Sequence, residues 1–115
     1  MRTIPIPVDV TKLQFVCVRA PRPRVLNADT GEIKTDKNGN TVYEIVLSVE
    51  DEFGRIELVK VGTSGEPQIT AGQDVTPNGL VGYVWEMTRG GEARWGISYR
   101  AASIVPAGGR PMPDT

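Results

Sequence analysis

Two kinds of side chain in this sequence could hold a ligand, namely aromatic rings and arginine or lysine cations. Trp85 and Tyr83 lie two residues apart. Arg19, Arg22 and Arg24 form a local basic run in which alternating prolines stiffen the chain. Aromatic rings stack on nucleobases at about 1–3 kcal/mol per base, and guanidinium groups have the planar fork that suits phosphate. The combination predicts binding of single-stranded nucleic acid.

Residues that commonly catalyse reactions or bind metal ions are scarce in this sequence. The sequence has no histidine, so the commonest general base and the commonest metal ligand are both missing. Cys17 is the single cysteine, which excludes an internal disulfide and a cysteine-rich metal site. The carboxylates cluster in one short acidic stretch. We therefore expect a protein that is not an enzyme and that uses no metal or cofactor.

The elements that must position these residues are short β-strands. No segment of helical length places apolar residues at i, i+3, i+4 and i+7, whereas alternating runs recur between turn signals. The segment 62–72 is polar and rich in glycine, which leaves little room for a helix. The predicted strands cover residues 13–18, 41–49, 55–61, 74–87 and 93–101, and the fourth is expected to bend at Pro77-Asn78-Gly79.

Alternation within the strands predicts which side chains face the core. In residues 41–49, Tyr43, Ile45, Leu47 and Val49 share one face, which we expect to be buried. In residues 93–101 the aromatic residues Trp95 and Tyr99 alternate with Arg94 and Arg100, and the aromatic face is the one expected in the core. Cys17 is expected to be a small buried strand residue.

Five short strands without a long helix are too few for a typical sandwich, so we expect an all-β domain built as a five-stranded OB-fold barrel. Residues 1–106 should form this single domain, with 107–115 as a flexible tail. The long polar connection between the first two strands contains the turn signals Asp29-Thr30-Gly31 and Asn38-Gly39-Asn40. It is predicted to be a long loop or a mobile β-ribbon around residues 32–34.

The last third of the chain resembles the bacterial single-stranded DNA-binding proteins of the OB type. The residues that carry the resemblance are, in order, Gly72, Val75, Gly79, Val81, Trp85, Gly90-Gly91, Arg94-Trp95, Ala101 and Ile104. Including the strand pair before them, the similarity covers residues 41–105. It implies an OB fold, single-stranded DNA as the partner, and Trp85 as a residue that stacks on a base.

Three features depart from that family's pattern. The helix that usually precedes the fourth strand has no room here, the second strand lacks the family's stacking tryptophan, and the chain ends in PMPDT rather than in an acidic tail. The resemblance therefore implies a compact accessory form, such as one carried on a plasmid, a phage or a conjugative element.

The predicted nucleic-acid-binding residues are Trp85, Tyr83, Phe53, Arg19, Arg22, Arg24, Lys60, Arg89 and Arg94. Lys34 and Lys37 could extend the cationic track. Three of these features have an alternative interpretation. Trp85 could close the mouth of the barrel, Phe53 could cap its end, and the arginine run could be a solvated proline-rich loop or a protein-docking segment.

The distribution of charge leaves a second function open. The net charge is −1, with seven Lys or Arg against four Asp or Glu in residues 1–43 but two against seven in residues 44–80. An acidic segment repels phosphate, which favours an OB-type module that binds or regulates another protein; RNA binding is a third possibility.

No apolar stretch approaches the roughly 18 residues that span a bilayer. No secretion signal is recognisable. The cytoplasm is the expected compartment, and an exposed strand edge makes a homodimer or higher homo-oligomer plausible.

Overall fold

The computed structural model describes residues 4–27 and 29–107, and within them it consists of strands and turns without a helix. The all-β prediction is confirmed. The ten strands are β1 (Ile6–Pro7), β2 (Gln14–Pro23), β3 (Val25–Asn27), β4 (Glu32–Ile33), β5 (Val42–Glu50), β6 (Ile56–Ser64), β7 (Asp74–Asn78), β8 (Val81–Arg89), β9 (Glu92–Arg100) and β10 (Ser103–Pro106). No helix among these residues is long and apolar enough to cross a membrane.

The prediction of five strands is not met, because bends and short edge segments divide the sheet more finely. Eight strands form one sheet in the order β1-β8-β9-β6-β5-β2-β7-β10, with β1 and β10 at its open edges, and β3 pairs with β4 separately. The predicted fourth strand bends where expected, at Gly79, whose φ is +64°. Its halves lie far apart in the strand order, since β7 pairs with β2 and β8 pairs with β9.

The core lies on the face of β5 that the alternation predicts. Ile45 and Leu47 are fully buried, and Tyr43 and Val49 pack against the same cluster. Cys17 is fully buried there too, as expected. Buried side chains of this cluster also come from β2, β6, β7, β10 and the loops, namely Phe15, Val61, Ile69, Val75, Leu80, Ala101 and Ile104. Burial of these apolar groups is the main force that holds the curved sheet around a single core.

The β8–β9 hairpin corrects the prediction for Trp95. The two strands pair from Val81↔Arg100 to Arg89↔Glu92, and Gly90-Gly91 forms the two-residue turn with φ of +60° and +84°. Pairing of β9 with β6 is limited to Tyr99 and Arg100. The rest of the hairpin extends past the core, so Tyr99 packs against the core while Trp95 is 70% exposed.

The connection between β2 and β5 forms the expected ribbon of β3 and β4. Its end is fixed by Asp36, whose carboxylate accepts hydrogen bonds from the amides of Asn38 and Asn40 at 2.8 and 2.9 Å. The proline-rich segment before the ribbon is not a loop, however. It continues β2 to Pro23 with register shifts between Cys17 and Arg19 and between Arg19 and Arg22. The second shift includes Pro21, which cannot donate a hydrogen bond to the ladder. Ala107 still donates to the Asp74 carbonyl at 2.9 Å, and the remaining predicted tail, 108–115, lies outside the described residues.

Candidate nucleic-acid interface

The outer face of the sheet, defined here as the face turned away from the core on β2, β5, β6, β9 and β8, collects most of the predicted binding residues. Arg19 is the partner of Val46, which is the partner of Lys60. The parallel register of β6 with β9 places Ser98 in the next position, and Ser98 is the partner of Tyr83. Neighbouring strands are about 4.8 Å apart where they pair, so Arg19, Val46 and Lys60 span about 10 Å. The row continues to Ser98 and Tyr83 across the point where β6 and β9 diverge.

The adjacent row of the outer face is also cationic. Arg22 is opposite Glu44, Glu44 is opposite Gly62, and Gly62 pairs with Arg100 across the parallel strands. Arg100 in turn is opposite Val81. Sequence analysis put Arg100 on the same strand face as Arg94 but did not include it in the site; only the long-range pairing of β6 with β9 reveals its neighbours.

Trp85 lies at the edge of this face and is held against its cross-strand partner, Gly96. A Cβ atom built on Gly96 would lie 2.5 Å from Trp85 Cζ2 and 2.7 Å from Cε2, so the indole occupies the space that any other residue at 96 would fill. The ring nevertheless remains 41% exposed. Trp85 is therefore positioned by its neighbour and accessible to a ligand, and it is not sealed in the core.

The hairpin continues the outer face beyond the core. Arg94 is opposite Met87, which is half exposed, and Arg89 lies at the turn opposite Glu92. These side chains alternate with those of the other hairpin face, where Trp95 is opposite Glu86. The two faces of the hairpin thus differ: the face of Trp85 carries Met87, two arginines and Glu92, whereas the other carries Trp95 and Glu86.

A groove of about 430 Å³ opens where β6 and β9 diverge. Its lining combines cations, a carboxylate and apolar side chains, among them Arg24, Glu44, Leu58, Lys60, Ile97 and Ser98. Leu58 is 65% exposed although it is a large apolar residue, and no sequence pattern singles it out as a ligand contact. Arg24 therefore lies at the edge of the outer face, and Leu58 offers an apolar contact in the same groove as Lys60.

The cations of this face form no ion pair among the described residues, although Glu44 lies opposite Arg22 and Glu92 lies opposite Arg89. Within residues 4–27 and 29–107 the ion pairs are Lys12–Glu52 at 3.8 Å and Asp51–Arg55 at 2.7 Å, both at the β5–β6 turn. The arginines of β2 and the hairpin and Lys60 belong to neither pair. Lys37 is exposed in the turn of the ribbon and lies off the outer face.

Phe53 is separate from the other predicted residues. It lies at the β5–β6 turn and is 74% exposed, with the Arg55 guanidinium 5.4 Å from the centre of its ring. Asp51 organises this turn by accepting hydrogen bonds from the amides of Phe53 and Arg55 and from the Arg55 side chain. The amide of Arg55 and then that of Phe53 hold the pKa of Asp51 below its usual value, with a smaller contribution from the guanidinium. The aromatic ring is thus surrounded by carboxylates and already faces a cation.

Among the described residues no three His, Cys, Asp or Glu side chains come together in a way that could hold a metal ion. The chemistry available at the outer face is stacking, apolar contact and binding of anions. No protein-family model, curated protein or solved structure matches this chain.

Proposed function

We propose that this chain is a non-enzymatic OB-type domain of the cytoplasm that binds single-stranded DNA with little dependence on sequence. The strand pairing supports the OB interpretation. β2, β5 and β6 form a meander, β6 pairs in parallel with β9, and β7 returns to β2. The OB fold is a partly open, five-stranded Greek-key barrel, and β7 with β8 would be its bent fourth strand.

The observation that carries the proposal is the grouping of Trp85 and Tyr83 with Arg19 and Lys60 on one outer face. In OB domains the corresponding face and the hairpin beside it bind oligonucleotides. Bases stack on the aromatic rings, and the cations follow the phosphates. Since neither contact reads the edges of the bases, the binding tolerates many sequences.

The test is a titration of labelled oligo-dT by fluorescence anisotropy at two salt concentrations. Trp85→Ala removes one stacking platform, so we expect the Kd to rise about 5- to 150-fold, which corresponds to about 1–3 kcal/mol. Trp95→Ala is the matched control, because it removes the other tryptophan of the hairpin from the opposite face. Absence of binding by the wild type at low salt would refute the proposal, as would equal Kd values for Trp85→Ala and the wild type.

A second function, binding of a protein partner, is favoured by the exposed Trp95 beside Ile97 and Glu86. An exposed apolar patch of this kind is typical of interaction surfaces, and a neighbouring carboxylate disfavours phosphate there. A partner whose capture survives nuclease treatment and is lost in Trp95→Ala would support this function. Competition between ribo- and deoxy-oligonucleotides of the same sequence distinguishes RNA from DNA as the preferred ligand.

A further inference from the structure

Three cations meet where the β3–β4 ribbon folds back on the end of β5. The Lys34 amide donates to the Arg24 carbonyl at 2.8 Å, and the Val42 amide donates to the Lys34 carbonyl at 2.9 Å. The Arg24 amide donates to the Val42 carbonyl at 2.9 Å. These hydrogen bonds fix the main chain of Arg24 and Lys34, and both residues therefore have a defined position beside the sheet.

The arrangement places like charges against each other. Val25 and Ile33 are partners in the ribbon, and the hydrogen bond between the next residues puts Lys34 directly opposite Arg24. Like charges in this relationship are destabilising. Arg100 is the third cation, because its partner across the parallel strands, Gly62, lines the same groove as Arg24. Partial burial of the Lys34 ammonium, and then the charges of Arg24 and Arg100, lower the pKa of Lys34.

Nearby carboxylates do not relieve this repulsion. The Asp36 carboxylate accepts hydrogen bonds from the amides of Asn38 and Asn40 in its own turn and also interacts with Ser64. Glu44 lines the groove together with Arg24, yet it forms no ion pair in the part of the chain that the structure describes. Among the described residues, Arg24, Lys34 and Arg100 thus form no ion pair with either carboxylate.

We propose that Arg24, Lys34 and Arg100 form a binding site for one backbone phosphate of single-stranded DNA. The inference rests on the proposed function and adds an anchor point to it. Two guanidinium groups can each offer a planar pair of donors to phosphate oxygens, and the ammonium adds a point charge. Because Arg24 also lines the groove between β6 and β9, the anchored strand enters that groove and continues towards Tyr83 and Trp85.

The experiment compares Lys34→Gln with Lys37→Gln, which removes an equal charge three residues away in the same ribbon. Each phosphate contact contributes about 0.7 to the slope of log K against log salt for a single strand. We expect Lys34→Gln to lower the magnitude of that slope for oligo-dT by up to about 0.7, since Arg24 and Arg100 remain at the phosphate, and to weaken binding at low salt. We expect Lys37→Gln to leave the slope unchanged and Lys34→Arg to retain most of it.

Two readouts keep this inference separate from the proposed function. If the wild type binds oligo-dT and Trp85→Ala weakens binding, but the two lysine variants have the same slope, the phosphate site is refuted and the proposed function stands. If the wild type does not bind oligo-dT, both fail. In a sample with labelled lysine side chains, oligo-dT should raise the pKa of Lys34, and an unchanged Lys34 pKa in the bound state would also refute the site.

Discussion

Gly96→Ala should abolish the positioning of Trp85 without touching the tryptophan itself. The added Cβ would lie 2.5 Å from Trp85 Cζ2, whereas carbon atoms in contact are normally about 3.5–4.0 Å apart. The indole must therefore move by about 1 Å or more, into an off-rotamer position or a different rotamer. The φ of Gly96 is not positive, so the backbone itself accepts alanine.

The expected result is a loss of affinity that approaches the loss in Trp85→Ala, up to about 1–3 kcal/mol or about 5- to 150-fold in Kd for oligo-dT. Thermal unfolding should change little, since the site lies on the hairpin outside the core. Trp95→Phe makes Trp85 the single tryptophan, so emission excited at a wavelength that tyrosine does not absorb reports the displacement directly. Thr88→Ala, which changes an exposed residue on the opposite face of the same hairpin, is the control and should keep the emission and Kd of the wild type.

A double-mutant cycle decides whether the glycine acts through the tryptophan. If it does, Gly96→Ala has no further effect on Kd when Trp85 is already alanine. Additive losses in the double variant would refute the argument, because they would show that residue 96 contributes by another route. An unchanged emission spectrum in Gly96→Ala would refute the predicted displacement.

Three further predictions concern other parts of the structure. Phe53→Ala should leave the Kd for oligo-dT within about twofold, because Phe53 lies at the β5–β6 turn, away from the outer face whose aromatic rings stack on the bases. A larger loss of affinity would place the β5–β6 turn in the binding site. The pKa of the Cys17 thiol is raised by burial, so labelling by a thiol reagent should follow unfolding, and rapid labelling of the native protein would contradict the buried position. The amide of Asn40, then the Ser64 side chain, lower the pKa of Asp36 from 3.8. The carboxylate therefore stabilises the fold above about pH 3.8 and loses this effect as the pH falls through its lower folded pKa, so a difference in Tm between wild type and Asp36→Asn should vanish on acidification; a difference independent of pH would refute it.

Much of the strand arrangement could be predicted, because alternation and turn residues act over a few positions. Ile45 and Leu47 were assigned to the core by their period of two, and the bend at Gly79 by its turn residues. The same alternation gave the correct face of β9 but the wrong environment for Trp95. Periodicity tells which side chains share a face, and it does not tell whether another layer covers that face.

Prediction of the binding site from the sequence is limited in the same way. Trp85 and the arginine run could be recognised from residue type. Arg19 and Arg22 lie in β2, which continues to Pro23 through two register shifts, and Arg24 lies between β2 and β3. The position of Lys34 beside Arg24 depends on a ribbon that folds back, and the position of Arg100 depends on a parallel pairing between β6 and β9. Both are contacts between distant parts of the chain, and no local pattern encodes them.

The position of β9 and β10 has a consequence for how the protein is made. A nascent chain that has not yet passed residue 92 has no strand to place beside β6, and until residue 106 has emerged β7 also lacks its outer neighbour. Ala101 and Ile104, which complete the core, arrive in the same late segment. Pairings between such distant residues form slowly. The sheet can therefore form completely only after almost the whole domain has left the ribosome. Shorter nascent chains expose apolar surface and strand edges to which chaperones can bind.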